Sequence, residues 1–259
     1  MKFRLASALS AALLAPSLAL ADVKPARMIL VGDSTMATKS GYGDALCARL
    51  KPELSCVNLA RGGRSSGSFR AEGLWDQVQQ MLRDGMHEHN YVLIQFGHND
   101  QPGKPGRSTD LVHDFPANMA RYVDETRAAG ATPVLLTPLT RRSFRGPWLH
   151  DDLAPWSAVT RQVARDKKVM LIDLNRLSQQ AVETMGEAEA DTLAMAPKPL
   201  PGQPVHPATT AERAGAANPV FDRTHLGLKG AQLFSGIVAD EWRRQQPAIA
   251  ARIFKMASE

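Results

Sequence analysis

Cysteine is scarce: Cys47 and Cys56 are the only two in 259 residues. That excludes a disulfide-built scaffold and leaves too few thiolates for a structural zinc site. In an oxidising compartment the two are expected to pair and close a short loop; two separate buried thiols are the alternative. Basic runs, zinc-finger spacings and nucleic-acid recognition motifs are also missing, so no nucleic-acid partner is expected. The chain has no internal repeat and no long low-complexity tract, which excludes a solenoid. Beyond the first 21 residues no stretch is apolar and long enough to cross a bilayer.

What is present fits one folded domain: 44% hydrophobic and 22% charged residues in a chain long enough for a sizeable core. The N-terminus reads separately. Lys2 and Arg4 precede an uncharged stretch from Leu5 to Leu20, and Ala19 and Ala21 are the small residues a signal peptidase reads. The stretch is short for a span and contains Pro16. Residues 1–21 are therefore expected to be a cleaved signal peptide, and residues 22–259 a single exported domain, periplasmic or extracellular and not held to a membrane. Cleavage removes two of 31 basic residues and none of 26 acidic ones, lowering the net charge from +5 to +3. A mildly basic surface serves solubility and would weakly steer an anionic polymer.

Short apolar runs alternate with longer amphipathic ones. Strands are expected at Arg27–Val31, Leu54–Leu59, Tyr91–Phe96, Thr132–Leu136 and Val169–Leu174. Helices are expected at Gly43–Leu50, Leu74–Leu82, Phe115–Ala129, Ala158–Asp166, Leu177–Met185 and Gly230–Gln245. The alternation argues for βαβ units, and the near-continuously apolar strands for a parallel sheet covered on both faces. A three-layer α/β/α sandwich with a five-stranded parallel sheet follows, with chemistry at the carboxyl ends of the strands. Residues 186–220, rich in Pro, Ala and Gly, read as a long loop.

Polar clusters lie where that rule puts them. The first strand runs into Gly32-Asp33-Ser34-Thr35-Met36, the second into Arg61-Gly62-Gly63-Arg64-Ser65, and the third into Gly97-His98-Asn99-Asp100. Asp222-Arg223-Thr224-His225 precedes the last predicted helix. Ester hydrolysis by a serine needs a base, an acid to orient it, and donors for the oxyanion. Ser34 can supply the hydroxyl, His225 the base and Asp222 the orienting carboxylate. The backbone N–H groups of Ser34 and Gly63 and the side-chain amide of Asn99 can supply the donors. Asp33 reads as an acceptor for backbone N–H groups of the turn, and His98 and Asp100 as organisers of the loop that holds Asn99.

These motifs together resemble the SGNH (GDSL-like) hydrolases, with Ser34, Gly63, Asn99 and His225 at the four residues that name that family. The chain is similar in particular to the rhamnogalacturonan acetylesterases of carbohydrate esterase family 12. The match rests on Gly32–Met36, Gly41-Tyr42-Gly43, Gly63-Arg64-Ser65 with Ser68-Phe69, Gly97–Asp100, Thr137-Pro138 with Arg141–Phe144, and Asp222–His225. The resemblance implies a flavodoxin-like α/β/α fold and deacetylation of plant cell-wall polysaccharide without a metal; no cofactor is expected, and the chain is expected to be a monomer. Gly62 adjoins Gly63 and could also present an N–H; the Arg-Ser that follows favours Gly63. Arg64, Arg70, Arg141 and Arg142 are candidate partners for galacturonate carboxylates. Trp148 is a candidate sugar platform or, alternatively, core beneath its loop.

Other readings compete. Gly63-Arg64-Ser65-Ser66-Gly67 fits the G-x-S-x-G elbow, which would make Ser65 the nucleophile, although only two predicted strands precede it. A metal-dependent hydrolase would need ligands that Asn99 and the unpaired histidines supply poorly. A lipase or thioesterase would want a trough of large aliphatics where these loops carry Arg and Gly. Transfer of acetyl to a sugar uses the same triad. A binding protein without catalysis would lack one of Ser34, Asn99 and His225, and all three are present.

Overall fold

The computed structural model describes residues 25–200 and 220–255. The signal-peptide reading of residues 1–21 lies outside them, as does the 201–219 part of the predicted loop.

The chain begins with β1 (Ala26–Gly32), α1 (Gly43–Cys47) and β2 (Ser55–Asn58). A short α2 (Ser68–Ala71), α3 (Leu74–Leu82) and β3 (His89–Gln95) follow, then α4 (Asp114–Ala128) and β4 (Thr132–Leu136). A small hairpin of β5 (Phe144–Arg145) and β6 (Trp148–Leu149) leads to α5 (Ala154–Asp166), β7 (Met170–Ile172) and α6 (Leu174–Asp191). The chain closes with α7 (Leu228–Gln245) and α8 (Pro247–Ile253).

The five expected strands pair in parallel in the order β2-β1-β3-β4-β7. Their side chains alternate between two cores. Met28, Leu30, Leu93, Val134 and Leu136 pack against α1, α6, α7 and α8 through Leu46, Val182, Phe234, Val238, Trp242 and Ile253. Ile29, Val31, Val92, Ile94 and Leu135 pack against α3, α4 and α5 through Trp75, Val78, Phe115, Met119 and Val163. Both faces of the central strands β1, β3 and β4 are therefore covered, the physical reason those strands lack polar alternation. The register of β1 against β3 carries Gly32 to Gln95, so the two strands end level, and the loops after them open on one edge.

Several boundaries differ from the sequence reading. The fifth strand is shortened to Met170–Ile172, and α1 stops at Cys47. Helix α5 begins four residues before the expected Ala158, because Pro155 sits in its first turn, where no N–H is required. The loop expected from residue 186 starts later: Gly186 breaks the helical path with φ 72° and ψ 170°, but the chain resumes a helix to Asp191. Cys47 and Cys56 form a disulfide, which ties the end of α1 to edge strand β2.

Candidate active site

After Gly32 the chain turns sharply: the N–H groups of Met36 and Ala37 both donate to the Asp33 carbonyl, at 3.2 and 3.0 Å. The Gly41-Tyr42-Gly43 segment lies directly on this turn. A Cβ on Gly41 would stand 2.3 Å from the Thr35 carbonyl, and one on Gly43 2.2 Å from the Met36 carbonyl oxygen. Only glycine permits that approach. Asp33 is fully buried and accepts from the Thr35 N–H at 2.9 Å and the Thr35 hydroxyl at 2.8 Å, with His98 Nδ1 3.2 Å from its other oxygen. Burial alone would raise the Asp33 carboxyl; the neighbouring His98 and the Thr35 donors hold it below its ordinary value. Beneath the turn, the Tyr42 hydroxyl donates to Gln95 Oε1 and Gln95 Nε2 donates to Thr35 Oγ1. This fixes a polar rail that the sequence reading missed.

Ser34 is 4% exposed, with its Oγ 2.9 Å from His225 Nε2. His225 Nδ1 lies 3.0 Å from Asp222 Oδ2. A carboxylate only accepts, so Nδ1 carries the imidazole proton and Nε2 is left to accept from the serine hydroxyl. Asp222 Oδ1 accepts the N–H groups of Thr224 and His225, both at 2.7 Å. Burial would push the Asp222 carboxyl up, but the His225 ring and these two N–H groups bring it down to about 2. The carboxylate is thus charged throughout the ordinary pH range.

Three contacts hold the 222–226 segment and the serine turn in place. The Leu226 N–H donates to the Ser40 carbonyl at 2.9 Å, and the Ser40 hydroxyl donates to the Ser34 carbonyl at 2.7 Å. The third is Arg142, where the structure corrects the sequence reading. Arg142 is fully buried and cannot meet a substrate carboxylate. Its Nη2 donates to the carbonyls of Asp222 and His225 at 3.1 and 2.9 Å, its Nη1 to that of Thr224 at 3.4 Å, and its backbone N–H to that of Arg223 at 2.9 Å. Burial lowers its pKa to about 10, against the pull of Asp222 and Asp191. These contacts span some 80 residues of sequence, which is why no local pattern announced them.

On the other side, Gly63 adopts φ +79°, a left-handed backbone natural to glycine. The Asn99 amide Nδ2 donates to the Arg64 carbonyl at 3.1 Å, and Arg107 Nη1 donates to Asn99 Oδ1 at 3.4 Å. Asp100 Oδ1 accepts the Ser66 N–H and hydroxyl and the Thr109 hydroxyl, joining the loops after β2 and β3. Burial raises the Asp100 carboxyl to about 6 despite these bonds. Ser65, the competing nucleophile, is fully buried and exchanges hydrogen bonds with Ser68 rather than with a histidine.

The remaining candidates divide. Arg64 has its guanidinium on Glu72, at 2.7 and 2.8 Å, and Arg141 has its own on Asp152 at 2.7 Å and Thr224 at 3.2 Å. Arg70 pairs with Glu125 and lies over Tyr122 and Trp75, within the second core. Trp148 is 76% exposed on β6, which excludes a role as core beneath its loop. Its hairpin was not foreseen, because two-residue strands carry no readable period.

A parallel α/β/α sheet with a hydroxyl, an imidazole and a carboxylate in series at its carboxyl edge is the arrangement that serine hydrolases use. The GDSL-like lipase/acylhydrolase family profile matches residues 30–233. A probable rhamnogalacturonan acetylesterase of Bacillus subtilis, YesY, is 29% identical over 217 residues, covering 81% of this chain and 89% of that protein. The rhamnogalacturonan acetylesterase RhgT of the same organism is 29% identical over 225 residues, covering 84% and 89%. Among solved structures, the YxiM protein of Bacillus subtilis superposes with a TM-score of 0.67 at 22% identity, over 87% of this chain; this chain spans 58% of that one. A variant of an acetylxylan esterase from Geobacillus stearothermophilus superposes with a TM-score of 0.55 at 18% identity, over 83% of this chain and 93% of that one. The chain belongs to the GDSL-like lipase/acylhydrolase family and is a carboxylic ester hydrolase.

Proposed function

We propose that this chain is an exported serine esterase that removes O-acetyl groups from pectic polysaccharide of the rhamnogalacturonan type. The observation that carries the chemistry is the unbroken series from Ser34 Oγ to His225 Nε2, 2.9 Å, and from His225 Nδ1 to Asp222 Oδ2, 3.0 Å. The substrate class rests on two relatives named as rhamnogalacturonan acetylesterases, one of them as probable.

His225 takes the Ser34 proton as Oγ attacks the acetyl carbonyl, and the C=O pair becomes an oxyanion. The N–H groups of Ser34 and Gly63 and the Asn99 amide receive that charge. The tetrahedral carbon expels the sugar oxygen, which takes the proton from His225, leaving acetyl on Ser34. Water gives a proton to His225 and attacks the acetyl carbon; collapse releases acetate and returns the proton to Ser34. Asp222 holds the ring and stabilises its charged form throughout. Trp148, exposed on its hairpin, offers a face for a sugar ring, and Arg64 and Arg141 border the site as paired cations.

The test is acetate release from acetylated pectic polysaccharide and from an aryl acetate, with wild type, Ser34→Ala and Ser65→Ala side by side. Release from both substrates by wild type and Ser65→Ala, and from neither by Ser34→Ala, is the expected result. Cleavage of the aryl acetate alone would leave the triad and remove the pectic substrate. Full activity of Ser34→Ala would remove the mechanism.

A further inference from the structure

A side-chain amide makes a treacherous oxyanion donor. Its oxygen and nitrogen ends have nearly the same shape, and the wrong flip presents a second negative end to the developing charge. Something must decide which end of Asn99 faces the reaction. The Arg64 carbonyl takes one hydrogen of Asn99 Nδ2, at 3.1 Å. The opposite end meets Arg107, whose Nη1 is 3.4 Å from Asn99 Oδ1. A guanidinium has donors and no acceptor, so it can face only the amide oxygen. A flipped Asn99 would lose both contacts and set two donors against each other.

The same Arg107 nitrogen lies 3.4 Å from the position a Cβ on Gly63 would occupy, so it sits beside the second proposed donor as well. Arg107 has no carboxylate partner among the described residues, so its positive charge is not cancelled by an ion pair. The loop that carries it is itself held: the Arg107 and Ser108 N–H groups donate to the Lys104 carbonyl, and the Thr109 N–H and hydroxyl donate to Asp100.

We infer that Arg107 is a positioning residue of the oxyanion hole, fixing the Asn99 amide with its nitrogen toward the reacting carbonyl. This rests on the esterase reading above. Arg107 acts on the transition state through Asn99, not on substrate binding, and the second Nδ2 hydrogen is then kept for the oxyanion.

The experiment is a double-mutant cycle on an aryl acetate with Arg107→Ala, Asn99→Ala and the pair, plus Arg107→Lys. Loss of an oxyanion donor costs about 10²–10³ in kcat. Arg107→Ala is expected to lower kcat about 10-fold with KM unchanged within about 2-fold, Arg107→Lys to recover part of that, and Arg107→Ala to cost nothing further in the Asn99→Ala background. The inference is overturned if the two losses multiply, if kcat is untouched, or if the change falls in KM or only on uronate-bearing substrates, where Arg107 would instead read the substrate. A wild type inert toward the aryl acetate would sink the esterase reading along with it. An active wild type, a dead Ser34→Ala and an unchanged Arg107→Ala would sink the Arg107 inference alone.

Discussion

The Ser34 hydroxyl is a weak nucleophile until His225 can take its proton, and His225 is a useful base only while Asp222 keeps the proton on Nδ1. The three residues therefore differ in what their removal costs. Ser34→Ala and His225→Ala are expected to lower kcat on an aryl acetate by about 10⁶-fold, and Asp222→Asn by about 10⁴-fold, judged from a related constellation. Far-ultraviolet circular dichroism on the same samples separates lost chemistry from lost fold; an Asp222→Asn enzyme as inactive as Ser34→Ala, with its fold intact, would give Asp222 more than a supporting role. These residues were legible because each follows a predicted strand or precedes a predicted helix in a short motif. The role of Arg142 and the place of Arg107 were not, for opposite reasons. Arginine is ordinarily a surface residue, so nothing local marked Arg142 for burial beneath the His225 segment. Arg107 belongs to no motif and meets Asn99 only because the loop after β3 folds back on itself.

Elements matter here through the loops they present. The 222–226 segment precedes α7 and is gripped by Arg142, which follows β4. Removing a buried cation that serves three carbonyls leaves each of them short of a donor. Arg142→Met is expected to cost about 2–4 kcal/mol and to lower kcat at least about 10-fold, as His225 loses its fixed seat. Lysine has a single donor head and should restore little of this. Thermal melts and aryl-acetate kinetics check both parts; a stable, fully active Arg142→Met variant would show that the segment holds itself. Asp100, which joins the loops after β2 and β3, gives a pH signature. Its value of about 6 lies above the ordinary 3.8, so the folded protein keeps this proton after the unfolded chain has released it. The resulting stability is full below about pH 4 and is lost as pH rises through about 6. Asparagine keeps the Oδ1 acceptor and carries no charge. The melting temperature of Asp100→Asn relative to wild type should therefore be higher at pH 8 than at pH 5, by about 2–4 °C for each kcal/mol; an equal difference at both would refute it. At this scale the strands were readable because both faces are buried. The starts of α5 and the second half of α6 were hidden by Pro155 and Gly186, each normally a mark of interruption.

Across the whole molecule, the two cores press on a sheet whose central strands are dry, but β2 at its edge is only half buried along its length. That edge is where the disulfide acts. Cys47 and Cys56 are nine positions apart, and closing so short a loop in the unfolded chain is worth about 3 kcal/mol on the chain-entropy account. An oxidising compartment, which the proposed export provides, is the condition for that contribution. The catalytic edge does not depend on it: beyond β2 the Leu59 and Arg61 N–H groups donate to the carbonyls of Leu30 and Gly32, both at 2.9 Å, and these ladder bonds keep the Gly63 loop in register with the Ser34 turn. The Cys47→Ser/Cys56→Ser pair is therefore expected to melt about 6–12 °C lower while keeping kcat/KM on an aryl acetate within about 2-fold at 25 °C. Reductant should shift wild type by the same amount and leave the double variant unmoved. A loss of activity at 25 °C in a folded double variant would mean that the edge strand, and not the ladder beyond it, holds the oxyanion loop in place.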